Sequence, residues 1–197
     1  MLSIERAMLP GAGHAGEAFG AGLQKNIFWM VLLRWVAGAG ILLGTVAGVL
    51  LGIVDEAIPL LIIGFAVLGW NVWLRVRVGR RAGKPSAPSE GAWLLQVVVD
   101  LLALTGVVFF SGGVESPVAV FFVFHMLCAG ILLSARLSYL VATMATVLFG
   151  SVAVLQAAVP SLYHGLAFDF AGKYFSEWSF VGVALSAFAT AMFTSVY

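Results

Sequence analysis

Trp93–Arg136 reads WLLQVVVDLLALTGVVFFSGGVESPVAVFFVFHMLCAGILLSAR, two apolar runs joined by Ser111-Gly112-Gly113-Val114-Glu115-Ser116-Pro117. Each run is long enough to cross a bilayer as a helix, and the glycines and Ser-Pro between them mark a tight reversal. Two glycines permit positive φ at a helix end, and Ser116 can cap the next helix with Pro117 in its first position. The hairpin also holds Gln96, Asp100 and His125, polar groups that are rare inside a membrane and need partners or a polar cavity there.

The surrounding composition agrees with that reading. Of 197 residues 62% are hydrophobic and only 10% are charged, against about 25% charged in soluble domains. In hydrocarbon every backbone group must be satisfied inside its own segment, so these features predict an all-α membrane protein. Six transmembrane helices are expected, at about 26–54, 57–74, 92–110, 117–134, 137–159 and 178–197, after a leader at 1–25. Glu5, Arg6 and the run Pro10-Gly11-Ala12-Gly13-His14 do not make a cleavable signal, so the leader reads as flexible or weakly helical.

Positive charge sets the orientation. The leader (Arg6, Lys25), the second connection (Arg75, Arg77, Arg80, Arg81, Lys84) and the fourth (Arg136) are basic, whereas the alternate connections hold only Lys173 among Asp55, Glu56, Glu115, Asp169 and Glu177. The positive-inside rule then puts both termini in the cytoplasm and the Gly-Gly turn outside. Trp70-Asn71-Val72-Trp73 ahead of the basic run marks an interface, and the run itself suits anionic lipid.

Two small-residue repeats predict close helix packing. Gly40, Gly44, Gly48 and Gly52 recur every four residues in the first span, and Gly182, Ser186, Thr190 and Thr194 do so in the last. The last span reaches Tyr197 with no basic stop, which leads to the expectation that a cytoplasmic portion follows it in the parent protein.

Five residues are candidates for an intramembrane polar core: Arg34, Asn71, Gln96, Asp100 and His125. Gln96 and Asp100 share a helix face with Trp93. Asp100 reads either as a proton- or ligand-binding acid or as half of a packing ion pair, with Arg34 the available cation. His125 reads as a hydrogen-bonding group toward a neighbouring helix, as a quinone or small-ligand contact, or as a haem or metal ligand. Cys128, the single cysteine, suits a small buried apolar position. Metalloprotease, Walker, nucleophile-elbow and dinucleotide motifs are all missing from the sequence, and nothing points to nucleic acid.

Asp100-Leu101-Leu102-Ala103-Leu104-Thr105, the Ser111–Pro117 turn and Ile131-Leu132-Leu133-Ser134-Ala135-Arg136 resemble the membrane domain of RegB-like redox-sensing bacterial histidine kinases; Leu33-Arg34-Trp35 and Asn71 match as well. The resemblance implies a signal-input module in the bacterial inner membrane. It would act as a homodimer, coupled in the parent protein to a cytoplasmic kinase domain and a response regulator. It further implies that Gly112, Gly113, Ser116 and Pro117 form a turn linked to ubiquinone sensing. Ser116 and Val118 stand where that family has Asn and Phe. No phosphoacceptor histidine or ATP site lies in these residues, so catalysis would belong to the parent protein. Two other classes fit the composition: a small proton-coupled transporter using Asp100 and His125, and a non-catalytic assembly subunit.

Overall fold

The structure is a computed structural model that describes residues 12–54, 56–79, 89–162 and 178–196, with side chains from residue 31 onward except 78, 79 and 160. Among the described residues there are six α-helices and no strand: α1 Ala12–Leu50, α2 Ala57–Gly79, α3 Glu90–Phe110, α4 Phe121–Leu132, α5 Ala135–Ala158 and α6 Trp178–Thr194. The leader before residue 12, Asp55, the basic residues Arg80, Arg81 and Lys84, and most of the connection before α6 lie outside them.

Four helices are long and apolar enough to cross a membrane, at Val31–Leu50, Ala57–Arg77, Glu90–Phe110 and Ala135–Ala158. The other two apolar segments, Pro117–Leu132 and Trp178–Thr194, are shorter. Large apolar side chains such as Leu43, Ile58, Ile131 and Val183 point outward and are more than two-thirds exposed, as lipid-facing residues are.

Helix ends follow local chemistry more closely than the apolar pattern does. α1 begins well before the expected residue 26, because no proline stands between Pro10 and Pro59 to interrupt it. Its 39 residues make a rod about 58 Å long, far beyond the roughly 30 Å of hydrocarbon. It stops at Leu50 rather than 54. Gly52 has φ +67°, its N–H donates to Val49 O at 3.0 Å, and Ile53 N–H donates to Gly48 O at 2.8 Å, the paired bonds of a Schellman end. Ser89 caps α3, accepting from Ala92 N at 3.3 Å. Ser116 accepts from Val118 N at 3.3 Å with Pro117 following it, so the cap read from the sequence is present, although it opens a 3-10 turn, Pro117–Val120, before α4 proper.

The helices form a pair and a bundle. α1 packs along α2, and α2 in turn leans on α3. The continuous apolar core belongs to α3–α6 and contains nothing from α1 or α2. At its centre Phe149 and Phe188 stack with centroids 4.0 Å apart, and Phe122 meets Phe188 edge-on at 5.2 Å. Such contacts contribute about 0.5–1.5 kcal/mol each. They count here because lipid is as apolar as the core, so shape fit rather than water exclusion holds membrane helices together.

Within the chain the small-residue repeats do not make the helix seams. Gly40, Gly44 and Gly182 face open space, and Gly52 is the glycine beyond the end of α1. α1 and α2 approach instead at Gly38, where a Cβ would lie 2.5 Å from Leu68 Cδ2, and at Gly64, where one would lie 2.7 Å from Leu42 Cδ2. A four-residue glycine repeat defines a stripe but not the side on which a partner stands. We therefore expect Gly38→Val to lower the thermal midpoint in detergent, an overpacking cost of about 1–3 kcal/mol, while Gly40→Val leaves it unchanged. Equal shifts in the two variants would contradict this packing.

Candidate functional site

Apolar residues recurring along α3 (Trp93, Val97, Leu101, Leu104 and Val108) turn one face of the helix into the bundle core. The adjacent face, carrying Gln96 and Asp100, is left for α1. Trp93 therefore belongs with the core and not with the polar pair whose face it was expected to share. Arg34 reaches across from α1. Its Nε donates to Asp100 Oδ1 at 3.1 Å and Oδ2 at 2.9 Å, one terminal nitrogen donates to Oδ2 at 2.8 Å, and the other donates to Gln96 Oε1 at 2.8 Å. The Arg34 side chain is 6% exposed and that of Asp100 16%.

This geometry suits a low-dielectric site. A lone guanidinium or carboxylate in the bilayer interior is costly, whereas a fork-to-carboxylate pair cancels the net charge and fills most of the donors and acceptors. Gln96 supplies the acceptor that Asp100 cannot. The result is a polar clasp joining the α1–α2 pair to the bundle.

Asn71 and His125 are not bonded into it. Asn71 is fully buried on α2 and donates to Val31 O at 3.2 Å, tying α2 to α1 one turn before Arg34; its Oδ1 has no partner. His125 Nδ1 bonds Phe121 O, in its own helix, at 2.9 Å. The expected bond from His125 to a neighbouring helix is not made, because the carbonyl four residues earlier lies within reach along α4. Cys128 is half-buried, and burial is the simplest account of its place.

At the other end of α3 the turn is compact. Ser111, Gly112, Gly113 and Ser116 are buried and Pro117 is exposed. Gly112 and Gly113 have φ of +109° and +58°, and Ser111 Oγ and Ser116 Oγ lie 2.7 Å apart. Beneath them is Gln156 of α5, which donates from Nε2 to Phe109 O at 3.1 Å and Leu162 O at 3.3 Å. Those two carbonyls orient the amide so that Oε1, buried and without a partner, lies against Gly113. A Cβ on Gly113 would collide with Oε1 and come within 2.8 Å of Cδ.

Gln156 was not among the candidates read from the sequence. The signal that marked Gln96, an amide inside an apolar helix, was present in Val154-Leu155-Gln156-Ala157 as well. Glu90 also escaped notice. Its carboxylate accepts from Ser134 N at 2.6 Å, tying the first residue of α3 to the short link between α4 and α5.

Outward-facing apolar helices, backbone satisfied within each helix and a charge pair held between two of them define a multi-pass α-helical membrane protein. More narrowly, residues 59–197 match the PilS-like transmembrane domain, a six-helix family, and the chain belongs to that family. The match begins in the first turn of α2, so it takes in Asp100, Gln96 and the turn but not Arg34. Neither the curated proteins nor the solved structures include a match.

Removing one partner of the clasp strands the other. Asp100→Leu is expected to cost about 3–5 kcal/mol, seen as a lowered thermal midpoint in detergent. The double variant Arg34→Leu/Asp100→Leu should recover most of that loss, and a double variant no more stable than the single one would refute the pairing. At the turn, Gly113→Ala should destabilise by the clash with Gln156 plus the cost of φ +58°, and Gln156→Ala in the same chain should restore part of it.

Proposed function

We propose that this chain is the membrane signal-input module of a bacterial sensor histidine kinase. Membership of the PilS-like family is the observation that carries the reading. The likeness of the hairpin and Leu33-Arg34-Trp35 to RegB-like kinases agrees with it. In this reading the module sits in the inner membrane with both ends cytoplasmic and works as a homodimer. The parent protein passes its state to a kinase domain and from there to a response regulator. The stacking of Tyr139 on Phe193, which sets the end of α6 beside the start of α5 on the Arg136 side, is consistent with that orientation.

The two-part architecture supplies a means of signalling. α1–α2 and α3–α6 are joined where α2 packs on α3 and through one polar clasp, and their relative position is proposed to take two discrete states. A signal biases such an equilibrium only by interacting differently with the two. Arg34, Gln96 and Asp100 are proposed to set the resting state, with Asn71 holding α1 in register on α2. The carrier reading has less support, because the carboxylate of Asp100 is tied to a guanidinium and His125 is bonded within α4.

Ubiquinone or another membrane-soluble ligand is proposed as the signal, with the outer turn as its contact. Gln156 occupies the inner side of Gly113, which leaves Pro117 as the turn's exposed member.

The reading is tested in the parent gene and its product. The reading frame past Tyr197 is expected to encode a phosphoacceptor helix and an ATP-binding domain. Arg34→Asp/Asp100→Arg, which keeps the pair but reverses it, should leave autophosphorylation closer to wild type than either single change does. A frame that stops at Tyr197, or autophosphorylation indifferent to all three variants, would defeat the proposal. For the ligand, titration with a short-chain ubiquinone should give saturable binding weakened by Pro117→Glu; absence of binding would remove the quinone.

A further inference from the structure

The C-terminal end of α2 takes no part in the clasp or the turn, yet it is organised. Trp70 and Trp73 stack with centroids 4.8 Å apart at 25°, and the Arg77 guanidinium lies 4.9 Å over the Trp73 ring. Arg75, two residues earlier, is exposed as well, so the two arginines flank Val76 on either side of the helix, and among the described residues neither guanidinium has a carboxylate partner. The sequence has no acidic residue between Glu56 and Glu90.

An apolar track leads to this end. Ile62, Phe65, Val72 and Val76 recur at helical spacing and are 62%, 64%, 46% and 46% exposed. Gly69, on the same line, has nothing within 4 Å of where a Cβ would stand, so the track is notched there. Cationic groups at one end of an outward apolar stripe are complementary to a lipid that has a negative head and a long chain.

We propose that this face of α2 binds one anionic phospholipid, its phosphate held by Arg77 and Arg75 and its acyl chain lying along the stripe past Gly69. Arg77 is the better placed of the two, because the Trp73 face fixes the plane of the guanidinium and leaves its N–H edge free for paired bonds to phosphate oxygens. Two cations with no acid between them favour a net-negative head group over a zwitterionic one. The aromatic stack below sets the depth of the head group, as interfacial tryptophans do.

The test uses the whole chain, purified in detergent and supplied with equimolar phosphatidylglycerol and phosphatidylcholine, with retained lipid counted by native mass spectrometry. Wild-type protein should keep phosphatidylglycerol in preference to phosphatidylcholine. Arg77→Gln should cut that preference about 5-fold and Arg75→Gln/Arg77→Gln about 30-fold, near one factor of 5 for each basic group at the interface. Gly69→Leu, which fills the notch, should reduce retention of both lipids. Arg136→Gln removes an exposed arginine that has no aromatic platform and should cost clearly less than Arg77→Gln. Circular dichroism identical to wild type shows that the variants fold; should they not, a rise in the wild-type thermal midpoint with phosphatidylglycerol and not phosphatidylcholine carries the test. No preference in wild type, an Arg136→Gln loss equal to that of Arg77→Gln, or displacement of the lipid by millimolar inorganic phosphate would each overturn the proposal.

Discussion

A guanidinium and a carboxylate inside hydrocarbon must find each other, and in this chain that requirement holds α1 against α3. Arg34 and Asp100 are 66 residues apart in sequence and meet within 2.8 Å. Either would be costly alone in an apolar span, so each favours the presence of the other. The apolar core gives α1 no comparable hold, because it is built from α3–α6 alone. A buried pair of this kind adds little net stability over a well-packed apolar substitute, but it penalises arrangements that separate it. Its contribution is to the specificity of one arrangement.

α3 is the element on which these constraints converge. Glu90 at its start holds the α4–α5 link, Gln96 and Asp100 in its first half hold α1, and Phe109 and Ser111 at its end are drawn into the Gln156 and Ser116 contacts. Its remaining face forms the core with α4 and α5. α3 thus runs from the face that holds α1 to the Gly-Gly turn at its end.

The turn illustrates how one motif can serve two demands. Its glycines are required by backbone conformation and, at Gly113, by the approach of Gln156. Loss of function on enlarging Gly113 would thus follow from packing alone, and Pro117 discriminates better between a structural turn and a ligand-facing one.

The six helices, the membrane class, the Ser116 cap and the need of Asp100 for a partner were legible in the sequence, because each depends on local composition or on the intrinsic cost of charge in lipid. Arg34 could be named as the available cation for the same reason. The glycine repeats do not mark the contacts within the chain: Gly40 and Gly44 have the right spacing, yet it is Gly38 and Gly64 that meet the neighbouring helix. Gln156 was passed over although it is as polar as Gln96 and as deeply set in apolar sequence. His125 had a carbonyl within reach one turn back on its own helix and bonds there. Composition and local pattern thus specify a set of helices and a list of groups that need partners. Which side of each helix is covered and which partner each group takes emerge at the level of packing, since those depend on the rotation and offset of helices packed by shape in a solvent as apolar as themselves.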